Sequence, residues 1–180
     1  MSVEAPAAII AFWREAGSDR WFKKDLAFDD EIKRRFLPSY EAAAAGKLAA
    51  WEQNAEGALA LLILLDQFPR NMFRGEARAF ATDPLARAIA SRAILNGFDG
   101  AFPDMRTFFY VPFEHSENLA DQERCIALYK AVGDDDGLKW AKLHADIIHR
   151  FGRFPHRNAV LGRVTMPDEQ AFLDGGGFAG

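Results

Sequence analysis

The chain has 180 residues, 49% hydrophobic and 13% aromatic, enough for one substantial core and short of the length at which cores divide. A formal net charge of −4 and a pI near 5.6 exclude the basic stripe that a phosphate-backbone partner requires, so no nucleic-acid partner is expected. The longest unbroken apolar run, Ala58 to Leu65, falls far short of the ~20 residues of a membrane span, so no membrane partner is expected either.

Met1 to Gly17 lacks a basic leader region and runs into Arg14 and Glu15, unlike a secretory signal. Cys125 is the single cysteine and has no internal partner, which fits a reducing, cytoplasmic setting. Helix signals then recur along the chain. Pro6 opens a helix through Ala16. Asp29 and Asp30 open Glu31 to Ala45, ended by Gly46, with a kink or break expected at Pro38. Asn54 caps Gly57 to Phe68, and Pro69 stops that helix. Thr82-Asp83-Pro84 starts another, ending at Asn96-Gly97.

Thr107–Phe113 reads as extended, but Pro112 and the lack of a second strand reduce it to a connector. Ser116 or Asn118 opens a helix to Val132, closed by Gly133. The acidic run Asp134–Asp136 starts Leu138 to Phe151, closed by Gly152. Thr165-x-x-Asp168, with Pro167, begins a short helix through Leu173. The pattern is all-α: antiparallel helices in a bundle or short solenoid, one domain over 1–174, with a flexible glycine-rich tail at 175–180.

Several polar residues fall where a helical core wants apolar ones. In 138–151, His144 lies within the arc of Trp140, Leu143, Ile147, Ile148 and Phe151, and His149 lies opposite among Lys142, Asp146 and Arg153. His144 is expected buried, either as a hydrogen-bonded core residue or as a functional group. In 116–132, Asp121 and Gln122 fall on the side of Leu119, Cys125, Ile126, Leu128, Tyr129 and Val132. Asp121 also suits the positive end of a helix, which does not account for Gln122. Asp66 and Gln67 follow a helix that is apolar all round. An acid at that end opposes the helix dipole and calls for a cation: Arg70 or Arg74 nearby, or Arg150 or Arg153 from another helix. Hydration at a helix exit is the alternative.

From His144 to Arg163 there are four arginines and three of the four histidines, against Asp146 alone, and Glu114, His115 and Glu117 form an acidic–histidine cluster that could face them. These residues together predict a polar, arginine-lined cavity ringed by Asp66, Gln67, Asp121, Gln122 and His144. No metal is expected: His144 and His149 are five apart and do not share a helix face. No P-loop or nucleophile elbow occurs, no cofactor is expected, and Cys125 in mid-helix reads as an inert thiol.

One weak internal echo pairs Gln67-Phe68-Pro69-Arg70-Asn71 with Arg153-Phe154-Pro155-His156-Arg157-Asn158. Phe as an anchor and Pro as a helix stop explain part of it, but not the repeated Arg-Asn. The residues Leu64 to Asn71, His115-Ser116-Glu117, Asp121 to Arg124 and Arg150 to Asn158 resemble the bacterial family called domain of unknown function 924, over about Phe12 to Leu173. The resemblance implies a tetratricopeptide-like helical array. It carries no activity and no catalytic residue.

Three functions follow. The first is a binding module for an anionic small molecule or carboxylate-bearing peptide, using Arg70, Arg74, Arg153 and Arg157, with Asn71, Asn158, His115, His156 and Glu117 beside them. The second is an enzyme on a polar or anionic substrate, with His144 as acid–base group oriented by Asp121 or Asp66. The third is a structural polar network, with a protein-contact surface elsewhere.

Overall fold

In a computed structural model, residues 3–21 and 23–178 are described, so the Gly180 end of the expected tail lies outside them. Among the described residues every regular element is a helix: α1 (Pro6–Ala16), α2 (Ser18–Trp21), α3 (Leu26–Ala44), α4 (Ala55–Leu62), α5 (Phe68–Met72), α6 (Asp83–Leu95), α7 (Thr107–Glu114), α8 (Leu119–Val132), α9 (Asp135–Phe151) and α10 (Pro167–Asp174), with short 3₁₀ turns and one π turn. Among the described residues no helix is long and apolar enough to cross a membrane. The contacts fall into two compact units, Met1–Arg74 with Arg78–Pro112, and Gly75–Ala77 with Phe113–Gly180.

The first unit is built on aromatic packing. Trp13 lies against Phe28, Phe68 and Phe108 at centroid separations of 5.4–6.0 Å. The helix expected from Glu31 begins earlier, because Asp25 caps it by accepting from the Ala27 and Phe28 N–H groups. It also runs through Pro38 without a break: Phe36 and Tyr40 are buried on either side, and their anchorage outweighs the one lost backbone hydrogen bond.

The expectation for Thr107–Phe113 is overturned, since this segment is helical. Its aromatic, β-branched composition favours a strand only where a neighbour can pair with it. Here Phe108, Phe109, Tyr110, Val111 and Phe113 are all buried, and a helix satisfies its own backbone.

In the second unit, Gly133 and Asp134 join α8 and α9, which pack along each other as an antiparallel hairpin. Asp134 caps α9 by accepting from the Gly137 N–H at 2.9 Å. Gly137 is required for closeness, because a Cβ there would overlap the Tyr129 ring. This tight seam buries only Ala141, His144, Ala145, Ile147 and Ile148 of α9. The apolar arc is wider than the seam, so Trp140 at 49% and Leu143 at 36% exposure are left outside it. Leu119 and Val132, at the two ends of α8, are likewise exposed.

Candidate functional site

The first unit holds Asp66, Gln67, Arg70, Asn71 and Arg74. Helix α4, buried from Gly57 onward, does not stop at Phe68. It widens into a π turn, Ile63–Gln67, closed by the Phe68 N–H on the Ile63 carbonyl, and continues as α5 through Pro69 to Met72. Proline brings no N–H, so the buried Leu65 carbonyl lacks its helical donor. The Thr82 hydroxyl supplies it, donating to Leu65 O at 2.6 Å. The expected stop is thus replaced by a register change, a device common at functional sites.

Asp66, 1% exposed, rides in this turn. It accepts from Gln67 Nε2 at 2.6 Å, and Arg70 Nη2 lies 3.7 Å away. Burial therefore excludes hydration, and the required cation is Arg70. The same guanidinium forks Asp83 at 2.5 and 2.8 Å and donates to the Ala79 carbonyl at 2.7 Å. Burial opposes its charge, yet Asp66 and Asp83 hold its pKa above the ordinary arginine value. Asn71 Nδ2 donates to buried Asp29 at 2.7 Å, and Arg74 forks that carboxylate at 2.8 and 3.1 Å.

The second unit holds His115, Glu117, Asp121, Gln122, His144, Arg153, His156, Arg157 and Asn158. Gln122 is fully buried, and its Nε2 lies 2.6 Å from both the Glu114 and Ser116 carbonyls, where the last carbonyls of α7 need donors. Its Oε1 is buried with no hydrogen-bond partner. Asp121 accepts from the Ser116 hydroxyl at 2.7 Å.

His144 is buried at 5% exposure, as its place on the wheel requires, and His149 is exposed. The His144 Nδ1 lies 2.9 Å from the Trp140 carbonyl and 3.1 Å from Glu114 Oε1. Two acceptors at Nδ1 keep the hydrogen there and leave the Nε2 lone pair as the basic position. The carboxylate on the imidazole is Glu114, and not Asp121 or Asp66. Burial, with His115 and Arg157 adding to it, lowers the His144 pKa to about 4; the Trp140 carbonyl opposes without reversing this.

His156, half-buried, is lowered to about 3 by burial, with Arg157, His144 and His115 adding, and its Nδ1 is buried without a partner. Arg157 is buried, donates to the His115 carbonyl at 3.0 Å and lies over the Phe154 ring at 4.5 Å. Three imidazoles, one guanidinium and Glu114 therefore converge, and His115 and His156 are the half-buried members. Phe178 packs its ring edge-on against His144 at 4.5 Å and His156 at 5.3 Å.

Around this cluster the remaining charges are paired. Arg163 forks Glu117 at 2.8 and 3.0 Å, and the Phe154 N–H adds a bond at 2.8 Å. Although burial opposes it, this set holds Glu117 below the usual carboxylate range. Arg153 forks Glu169 at 2.5 and 2.8 Å and Asn158 Nδ2 adds 3.0 Å; the Arg153 bond, first, takes Glu169 down to about 2. Burial pushes the Cys125 thiol far up, with Glu114 at 4.0 Å adding to the effect. Among the described residues no group of three or more His, Cys, Asp or Glu side chains is arranged to hold a metal.

The echo of Phe-Pro blocks now has a physical meaning. In each block the asparagine amide reaches a buried carboxylate that an arginine also forks: Asn71 and Arg74 on Asp29, Asn158 and Arg153 on Glu169. Sequence reasoning missed those acids. Asp29 sits three and seven residues before Ile32 and Phe36 on the apolar stripe, a signal hidden when it was read as a cap. Glu114 follows an all-round apolar helix just as Asp66 does, a likeness that the extended reading of 107–113 concealed.

Fold and site together define an all-helical protein in which the asparagine amide of each Phe-Pro block, with a nearby arginine, holds a buried acid. The chain belongs to a family of bacterial proteins of unknown function, DUF924, whose sequence pattern matches residues 9–177. It is similar to ATU0120, a protein of unknown function from Agrobacterium tumefaciens: 49% identity, TM-score 0.91, over 94% of this chain and 97% of that one. No curated protein matches it.

Proposed function

We propose that the chain is a binding module whose site is the histidine cluster of the second unit, and that it takes a small molecule or peptide end bearing an anionic group. The observation that carries this reading is the gathering of His144 and His156 on the Phe154 and Phe178 rings beside Arg157, which donates to the His115 carbonyl, with the buried His156 Nδ1 lacking a hydrogen-bond partner. Neutral imidazoles offer N–H donors, and Arg157 supplies fixed positive charge. Arg70, Arg74 and Arg153 each fork a carboxylate and act as braces, whereas Arg157, over the Phe154 ring and donating to the His115 carbonyl, stands among the imidazoles. A cytoplasmic setting and a tetratricopeptide-like array belong to the same proposal, supported by the buried Cys125 thiol and the α8–α9 hairpin.

An anion bound here favours the protonated imidazole and raises both depressed pKa values. Titrating ring-labelled histidines by NMR with inorganic phosphate and with succinate should move the His115 and His156 signals saturably. It should also shift the titration of His144 and His156 to higher pH, and Arg157→Lys should weaken both effects. Unmoved histidine signals at tens of millimolar anion would sink the reading.

A second reading makes the same cluster an acid–base enzyme site, favoured by the Glu114–His144 contact that fixes Nδ1–H and leaves Nε2 basic. His144→Gln would then bind the anion and abolish turnover in a metabolite screen. Activity that survives this substitution excludes His144 as the acid–base group and with it this reading.

A further inference from the structure

Beside the histidine cluster, and sharing Phe178 with it, the second unit carries a groove of about 780 Å³ along α9, α10 and the segment after it. Its floor includes Leu143, Ile147, Phe151, Phe172 and Phe178, and its rim carries Lys139, Lys142 and Arg150. None of the ligand-binding residues expected from sequence lines it, but Arg150, offered there as a cation for Asp66, does. The Arg150 guanidinium is seated 4.6 Å from the Phe151 ring and 5.7 Å from Phe172, which holds a cation over the apolar floor. Trp140, half exposed, continues the Leu143–Ile147 strip by one turn.

We propose that this groove is a docking site for an acidic amphipathic helix of a partner protein. Length and charge decide the occupant. Lys139 and Arg150 are eleven residues apart on α9, a row of about 16 Å at 1.5 Å per residue. A single-headed amphiphile meets one cation of that row. A helix of three turns lays apolar side chains at i, i+3, i+4 and i+7 into the floor while its flanking acids meet all three cations. Asp146, also on the lining, interrupts the positive row and Asp135 bounds its start, and both set register by rejecting acids at their own positions. An exposed tryptophan at one end is the kind of side chain on which such interfaces concentrate their affinity.

The test is a displayed library of peptides of about 15 residues, selected against the full chain. Acidic amphipathic sequences should be enriched. Fluorescein-labelled winners should bind the wild type in an anisotropy titration and weaken at least about tenfold, or 1.4 kcal/mol, in Lys142→Glu/Arg150→Glu. Both side chains are exposed, so that variant should keep its far-UV circular dichroism and thermal midpoint. Should it fail to fold, Leu143→Asp on the groove edge serves instead.

No enrichment, enrichment of basic or uncharged peptides, or affinity that the variants leave unchanged overturns the proposal. So does a self-association seen by sedimentation and abolished in the double variant, which would make a second copy the occupant. Saturable dodecanoate binding without peptide enrichment would assign the groove to an amphiphile. The histidine titration above is read at other residues, so either proposal can fail alone.

Discussion

Replacing Thr82 with valine tests the account of the π turn, because the two side chains match in shape and differ by one donor. Thr82 stands at the N-cap position of α6 but makes no capping bond, so removing its hydroxyl deletes a single interaction, the 2.6 Å bond to Leu65 O. Leu65 is fully buried and Pro69 offers no N–H, so the carbonyl is left without a donor. An unsatisfied buried acceptor costs about 1–3 kcal/mol. For a chain of this length that lowers the melting temperature by roughly 2–12 °C, at about 2–4 °C per kcal/mol. Urea unfolding followed by circular dichroism, compared at constant m-value, measures the difference. Thr82→Ser keeps the donor and should recover most of it. A Thr82→Val midpoint indistinguishable from wild type would show that the hydroxyl does not substitute for the missing proline N–H.

Acidification supplies a second check. His144 and His156 have folded pKa values lowered to about 4 and about 3, so the unfolded chain binds more protons below its ordinary histidine pKa of about 6.5. Stability should therefore fall as pH drops from about 6.5 to 4, with about two protons taken up on unfolding, and His144→Gln/His156→Gln should flatten that slope in pH-dependent urea midpoints. Glu169→Gln removes the fork that ties α10 to the second Phe-Pro block, and hydrogen exchange should show α10 losing protection while α8 keeps it. Gly137→Ala should destabilise the α8–α9 hairpin by about 1–3 kcal/mol through overlap with Tyr129, and Tyr129→Leu in the same chain should relieve part of the loss. Cys125 should resist a thiol reagent in the native protein and react on unfolding, as its burial requires.

Much of this could be read from periodicity, and the failures have a common origin. The wheel placed His144 and Gln122 inside because helical spacing depends only on local geometry, and both are buried. It also required a cation at Asp66 and offered Arg70 among four arginines. What it could not supply was the partner of each polar group. Glu114 on His144, Glu169 on Arg153 and Asp29 on Arg74 join residues 30, 16 and 45 positions apart, and no local pattern encodes such pairs. Proline was the other blind spot. Pro38, Pro69 and Pro112 all sit inside helices, because buried aromatic neighbours or a side-chain donor offset the missing N–H.

The widened turn at Ile63–Gln67 also sets a constraint on how this stretch can be wound. One residue of an α-helix is worth about 100° of rotation, so rewinding the same residues as ideal α-helix would swing everything after them around the axis. Asn71 and Arg74 would then point away from Asp29, stranding a carboxylate in the interior. Helical regularity and the buried bracket on Asp29 are alternatives in this sequence, and the chain keeps the second.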